Sequence, residues 1–164
     1  MMDEGIKNYL GRIILVIIVC ISLVFCIFYM NARWARIRDI RRQADAHSIV
    51  KALDVYNIQV GYYPQVTEND GDGWDKTNDP ARSFLKPLSD FGLINSLIFD
   101  PKNDNKYYYR YQKFPAGTYG CSDSFAVFQI ASFEAAAEDI GRGSCPYLNW
   151  TSAAPKGFTW FGLD

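Results

Sequence analysis

The sequence contains very little histidine: His47 is the only one in 164 residues. It also lacks a CxxC pair, a glycine-rich phosphate-binding loop and any recognisable set of serine, histidine and aspartate for nucleophilic catalysis. Because histidine is the residue most often used in general acid–base catalysis, few side chains are left for an active site. No cluster of histidine, cysteine and carboxylate residues has the spacing of metal ligands. We therefore expect a non-enzymatic protein with no catalytic residues, no bound cofactor and no metal ion.

Charge is missing between Arg12 and Arg33, and within that stretch residues 13–30 read IILVIIVCISLVFCIFYM. At about 1.5 Å per residue, this run spans roughly 27 Å, close to the thickness of the hydrocarbon core of a bilayer. A small domain has no core wide enough to bury such a helix on all sides. The basic residues that follow offer no cleavage site for a signal peptidase. The sequence therefore predicts a single transmembrane helix over residues 13–32, preceded by an N-terminal segment over residues 1–12.

Acidic residues are scarce at the N-terminal end, where residues 1–42 hold seven of the 17 Lys and Arg but three of the 18 Asp and Glu. Residues 43–164 thus carry 10 basic and 15 acidic side chains, a net charge of −5. Such a domain lacks the clustered cations that neutralise phosphates, so we expect membrane lipid but no nucleic acid as a partner. The basic side chains after the span form a predicted collar: Arg33, Arg36, Arg38, Arg41 and Arg42. Taken alone, this collar would place the following domain in the cytoplasm.

Cysteine is also sparse, and Cys20 and Cys26 lie in the predicted span, where thiols behave as small apolar groups. The remaining two, Cys121 and Cys145, could form one disulfide or stay as two thiols. A disulfide would contribute roughly 3 kcal/mol and is favoured if the domain faces an oxidising compartment. That orientation conflicts with the charge of the collar, so composition alone leaves the side of the membrane open.

No proline or glycine interrupts the chain between Ile13 and Val60, so nothing in that stretch breaks a helix. Apolar side chains recur there at spacings of three and four: Ala46, Ile49, Leu53, Tyr56 and Val60. This is the stripe of an amphipathic helix. We expect the transmembrane helix to continue outside the membrane over residues 33–63 and to pack this stripe on a sheet. Gly61 and Pro64 supply the stop signal.

Residues 64–164 read as a loop followed by β-structure. A short helix or turn is expected over residues 84–95. A period of two over residues 107–112 predicts a strand, and residues 124–132 are apolar on both faces, which is typical of a central strand. Residues 158–161 could add a short last strand. The predicted fold is α+β, with a long N-terminal helix packed on a small antiparallel sheet.

The alternating tyrosines Tyr107, Tyr109 and Tyr111 allow two interpretations. An exposed aromatic row could stack sugars or bases. A half-buried row would instead pack on the helix stripe, which is the commoner role of aromatic residues in strands. We expect the packed row.

The acidic loop over residues 65–83 could suggest calcium. Counting from Asp70, however, Trp74 stands where an EF-hand needs an oxygen ligand and Asp75 where it needs glycine. We therefore expect a solvated loop without a metal ion.

Residues 31–64 read NARWARIRDIRRQADAHSIVKALDVYNIQVGYYP. This stretch resembles type IV pilins and type II secretion pseudopilins, in which a basic segment leads into a helix that ends in Gly-x-Tyr-Pro. The matching residues are Arg38-Asp39, Arg41-Arg42, Ala52-Leu53, Tyr56, Gly61, Tyr63 and Pro64. The turn over residues 100–104, the tyrosine strand after it and the closing FTWFGLD are also similar to members of this family.

The resemblance implies a structural subunit of a type IV pilus or type II secretion apparatus. Its partners would be other pilin-like subunits or assembly proteins, in a homo-oligomer or filament. The resemblance also implies a cytoplasmic N-terminus, one pass through the inner membrane and an extracytoplasmic C-terminal domain. Some pseudopilins hold calcium late in the sheet, where this chain has Glu134, Glu138 and Asp139, but the ligand pattern does not match.

The chain departs from the family at its N-terminus. Family members carry a basic leader that ends in glycine and a glutamate at the fifth position after it. Here MMDEG is acidic, and Leu10 stands at the fifth position after Gly5. In the family that glutamate balances the free amine of a neighbouring subunit within an apolar filament core. Its absence favours an alternative function: a membrane-tethered, pilin-shaped ectodomain that binds a ligand or partner without polymerising.

Overall fold

A single helix occupies the N-terminal part of the chain. In the computed structural model, which describes residues 4–67, 71–80, 84–94, 98–135 and 140–164, this helix, α1, covers Glu4–Val60. Because no proline interrupts that range, the ladder of i→i−4 hydrogen bonds can continue. The helix ends at Gly61, which has a φ of 89° and donates its N–H to the carbonyl of Asn57 at 2.7 Å. Glycine takes this left-handed conformation without the steric cost of a side chain.

The chain divides into two units, the first up to Ile37 and the second over Arg38–Asp164. In the first unit, the side chains over residues 9–34 are exposed on every side of the helix. This helix is long and apolar enough to cross a membrane. An apolar helix without a buried side suits a lipid environment, because no protein core covers it.

The described part of the second unit contains six strands and a short helix. The strands are β1 (Asp75–Lys76), β2 (Tyr109–Phe114), β3 (Phe125–Ile130), β4 (Ser144–Cys145), β5 (Leu148–Asn149) and β6 (Phe158–Leu163). The short helix, α2, covers Lys86–Asp90, and 3₁₀ turns cover Thr118–Gly120 and Trp150–Ala153. Four strands form one antiparallel sheet in the order β1-β2-β3-β6, and β4 pairs with β5. The predicted α+β fold is confirmed.

β3 lies in the middle of the sheet. It pairs with β2, where Ile130 lies opposite Tyr109, and with β6, where Phe125 lies opposite Leu163. All six of its side chains are buried, as expected of a central strand that is apolar on both faces. The last strand is longer than predicted, because β6 pairs with β3 along its whole length.

One face of the sheet packs on the part of α1 that belongs to the second unit. Ile49 and Leu53 are fully buried, Tyr56 is buried and Val60 is half-buried. From the sheet, the same apolar cluster contains Tyr109, Tyr111, Ala126, Phe128 and Ile130. Full burial of a leucine or isoleucine side chain contributes roughly 1.5–3 kcal/mol, so this stripe holds the helix on the sheet.

The tyrosine row faces this core. Tyr107, Tyr109 and Tyr111 are all buried. The hydroxyl of Tyr109 donates to Asp45 at 2.9 Å, and that of Tyr111 donates to the carbonyl of Pro64 at 2.8 Å. The row therefore packs on the helix and is not an exposed stacking platform.

The other face of the sheet carries a second apolar cluster around Trp150. The ring of Trp150 lies 4.9 Å from that of Phe114 and 6.0 Å from that of Phe125, measured between centroids. Cys121 and Cys145 belong to the same cluster and form a disulfide across 24 residues of sequence. A closed loop of that length contributes roughly 3 kcal/mol, chiefly by restricting the unfolded chain.

The prediction of a solvated loop over residues 65–83 is wrong at Asp75, which lies in β1 and is 2% exposed. Its carboxylate accepts the backbone N–H of Leu85 at 2.9 Å. Leu85 has a φ of 49°, a left-handed conformation that costs free energy for a branched side chain. A buried carboxylate needs such a donor, and the pairing depends on tertiary contact rather than on local sequence. Sequence predictions that fall outside the described residues concern residues 1–3, Asp70, Asn95, Glu138 and Asp139.

Truncation of the helix stripe should destabilise the second unit. Leu53→Ala removes a side chain with no exposed surface and should lower the free energy of unfolding by about 2–5 kcal/mol. Ile58→Ala on the same helix, where the side chain is 84% exposed, is the matched control and should change it by less than about 0.5 kcal/mol. Urea unfolding of the detergent-solubilised chain, followed by near-ultraviolet circular dichroism, measures both. Equal effects of the two variants would contradict the packing of the stripe.

Candidate functional site

A group of buried ion pairs surrounds Arg42, whose side chain is fully buried. Its Nε and Nη2 donate to the two carboxylate oxygens of Asp100 at 2.6 and 2.9 Å. Its Nη1 donates to Asp39 at 2.6 Å and to Glu134 at 3.0 Å. A buried charge is costly unless it is paired and hydrogen-bonded, and three carboxylates meet that requirement here.

Glu134 is the second centre of this group. Its two carboxylate oxygens accept hydrogen bonds from Nε and Nη2 of Arg38 at 2.6 and 2.7 Å. The Nζ of Lys102 lies 2.8 Å from one of the same oxygens. Paired, charge-assisted bonds of this kind are among the stronger hydrogen bonds in proteins. Three cations balance three carboxylates in what we call the ion cluster: Arg38, Arg42, Lys102, Asp39, Asp100 and Glu134.

The ion cluster joins three segments that are distant in sequence. α1 supplies both arginines and Asp39, whose spacing puts them on one face of the helix. Asp100 stands in the turn before β2, and Glu134 follows β3. Asp39 also accepts the backbone N–H groups of Glu134 at 3.0 Å and Ala135 at 2.7 Å. The helix is therefore bonded to the side chains and the backbone of the segment after β3.

The electrostatics of the ion cluster keep its central groups charged. Burial alone would lower the pKa of Arg42, but hydrogen bonds to Asp100, Asp39 and Glu134 and the charge of Asp100 raise it above the ordinary value. The pKa of Glu134 is held well below its usual range, chiefly by the hydrogen bond from Arg38 and further by those from Lys102 and Arg42. Burial opposes this lowering and is outweighed. Both groups are thus ionised at neutral pH.

The ring of Tyr107 lies against the cations of the cluster. Its centroid is 4.8 Å from the guanidinium carbon of Arg42 and 4.5 Å from the Nζ of Lys102. A cation over the face of an aromatic ring is attracted by the ring quadrupole. Tyr107, the first residue of the tyrosine row, therefore packs against the ion cluster.

The five arginines of the predicted basic collar do not share one environment, and the prediction of an exposed collar needs correction for Arg38 and Arg42. These two arginines are bonded inside the second unit. Arg33, Arg36 and Arg41 are exposed. Arg41 lies 3.8 Å from Asp45, and an exposed pair of this kind contributes little to stability. Within the second unit helical spacing separates Arg41 from the other two arginines, because Arg38 and Arg42 lie four residues apart on one side of the helix.

The sequence reasoning missed Asp39, Asp100 and Glu134 as partners of Arg42. A signal was present, since Arg42 stands four residues before Ala46 and extends the apolar stripe in the N-terminal direction. A cation on the buried face of a helix requires a carboxylate partner. The helical spacing could have predicted that need, although it could not have identified residues beyond the helix as the partners.

The other predicted packing and disulfide residues lie in the two apolar clusters rather than at the ion cluster. Ile49, Leu53 and Tyr56 belong to the cluster between helix and sheet, while Cys121 and Cys145 belong to that around Trp150. His47 is exposed on α1. Among the residues that the structure describes, no group of three histidine, cysteine or carboxylate side chains is arranged to hold a metal ion.

Comparisons of the chain with protein-family models, with curated proteins and with solved structures found no match.

Removal of Arg42 should destabilise the second unit strongly. Arg42→Ala leaves Asp100, Asp39 and Glu134 without their shared cation, so the free energy of unfolding should fall by about 3–5 kcal/mol. Arg41→Ala removes an exposed arginine from the adjacent position and should cost less than about 1 kcal/mol. Urea unfolding at neutral pH compares the two variants. Similar losses would show that Arg42 acts only through the net charge of the helix.

Proposed function

We propose that this protein is a non-enzymatic, membrane-anchored structural subunit of the type IV pilin or type II secretion pseudopilin kind. The observation that carries the proposal is that the two parts of α1 differ in composition and burial. Its N-terminal part is apolar and exposed over residues 9–30, whereas Arg38–Val60 contributes a buried face to an α+β domain. A helix with these two parts can hold a subunit in a bilayer, or among the apolar helices of neighbouring subunits, while its domain meets other proteins.

The disulfide supports an extracytoplasmic domain. Cys121 and Cys145 are bonded, and disulfides persist mainly in oxidising compartments. The protein would then cross the inner membrane once, with its N-terminus in the cytoplasm and its C-terminal domain outside. This placement goes against the positive-inside tendency of the collar, which counts Arg38 and Arg42 even though both are paired in the folded domain.

The ion cluster supports a mechanical role for the helix. Contacts made by the membrane part of a subunit can act on its domain only if the helix does not detach from the sheet. Ion pairs at Arg38 and Arg42 and apolar packing at Ile49 and Leu53 oppose that detachment at two places along α1. Helix packing and surface contacts, rather than chemistry, are therefore the proposed mechanism.

A second candidate function is a membrane-tethered, pilin-shaped ectodomain that binds a partner without polymerising. The observation that favours it is Leu10, which stands where the family carries the glutamate that pairs with a neighbouring subunit. Without that carboxylate, an apolar filament core would hold an unpaired amine.

Cross-linking in the native membrane distinguishes the two candidates. Single cysteines would replace Ile17, Ile18 or Val19 in a Cys20→Ser/Cys26→Ser background. The Cys26→Ser chain, which keeps Cys20, tests a fourth position. The four positions together cover one helical turn. A subunit packed among other helices should give oxidative cross-links with a helical period, strong at one or two positions and weak at the others. The Cys20→Ser/Cys26→Ser chain, which keeps Cys121 and Cys145, is the control for cross-links through the domain. Monomer at all four positions would contradict the subunit proposal and support the tethered ectodomain.

A further inference from the structure

Two exposed arginines and a tryptophan follow the apolar run in the first unit of the chain. Arg33 and Arg36 are exposed, and the side chain of Trp34 between them is 54% exposed. Residues three apart on a helix are neighbours, so the two arginines share one side of α1. Arginine and tryptophan together at the end of an apolar helix are typical of the bilayer interface.

These two arginines differ from Arg38 and Arg42, which are paired with carboxylates inside the second unit. Among the described residues, no carboxylate lies within ion-pair distance of Arg33 or Arg36, whereas Arg38 and Arg42 are bonded to Glu134 and Asp100. The charge of Arg33 and Arg36 is therefore available to an external anion. The sequence alone treats all these arginines alike, and the ion pairs separate them.

The distance from the apolar run indicates which anion they would meet. Arg33 and Arg36 lie about 4.5 and 9 Å beyond Met30 along the helix axis, at about 1.5 Å per residue. The polar layer of each leaflet is about 5–8 Å thick. A helix that buries residues 13–30 in hydrocarbon thus places the backbone of Arg33 inside this layer and that of Arg36 just beyond it. Because helix side chains tilt toward the N-terminus and arginine is long, both guanidinium groups can reach the phosphates. A nucleic acid or an acidic protein would have to enter the headgroup layer to reach them.

From this placement we infer that Arg33 and Arg36 bind the phosphate groups of anionic phospholipids, while Trp34 fixes the depth of the helix at the interface. Guanidinium suits this role because it pairs with phosphate oxygens through two hydrogen bonds and stays charged at the interface. The inference rests on the membrane anchoring within the proposed function and is independent of polymerisation.

Native mass spectrometry of the full chain in uncharged detergent tests the site, with phosphatidylglycerol and phosphatidylcholine as the two probes. The wild-type chain should bind phosphatidylglycerol more tightly than phosphatidylcholine. Arg33→Gln/Arg36→Gln should lose about fivefold in phosphatidylglycerol affinity for each arginine, or about 25-fold together. The matched control, Arg41→Gln/Lys51→Gln, removes two positive charges from exposed positions of the same helix and should keep most of the preference.

Flotation with phosphatidylcholine vesicles separates failure of the site from failure of the anchor. The phospholipid site is supported if the wild-type chain and both variants float with the vesicles and only Arg33→Gln/Arg36→Gln loses the preference for phosphatidylglycerol. An unchanged preference in that variant, or an equal loss in the control, overturns the site and leaves the anchor intact. Absence of flotation overturns the anchor and the site together. Competition by inorganic phosphate at equal concentration would also overturn the assignment to lipid.

Discussion

The buried guanidinium of Arg42 is the interaction on which the rest of the second unit depends. A charge with no exposed surface is tolerated only when carboxylates surround it, and these come from α1, from the turn before β2 and from the segment after β3. Satisfying this one side chain therefore fixes the positions of three separate parts of the chain. The apolar stripe from Ala46 to Val60 adds burial energy, but apolar contacts are non-directional and do not by themselves specify which end of the sheet meets Arg38 and Arg42.

The same requirement sets the functional character of the surface. Because Arg38 and Arg42 are paired inside the ion cluster, fewer of the five collar arginines can meet other molecules than the sequence indicates. Exposed cations remain at Arg33, Arg36 and Arg41, and apolar surface remains over residues 9–30. The chain combines an exposed apolar helix, long enough to cross a membrane, with a folded domain whose second sheet face packs on the Trp150 cluster and carries a disulfide.

Helical period and apolar runs predicted much of this fold, but they could not predict ion pairs between residues that are distant in sequence. The stripe at Ile49 and Leu53 follows from helical period, and the burial of β3 follows from a run that is apolar on both faces, so both could be predicted from neighbouring residues. The partners of Arg42 could not, since Asp100 and Glu134 lie 58 and 92 residues further along the chain. Asp75 escaped prediction for a related reason, because its buried carboxylate accepts the backbone N–H of Leu85, which lies ten residues further along the chain. Sequence periodicity indicates an exposed position for a charged residue when its partner lies far away along the chain.

Because the ion cluster and the stripe hold α1 on the sheet, we expect the helix from Arg42 to Val60 and the sheet to unfold as one cooperative unit. Native-state hydrogen exchange of the full chain in detergent tests this most directly, because it reports a free energy of opening for each amide. The most protected amides of this helix segment and those of β3 should exchange with the same free energy of opening, within about 1 kcal/mol. Helix amides that open with much lower free energy than those of β3 would show that the helix detaches while the sheet stays folded, and would contradict cooperative unfolding of the two.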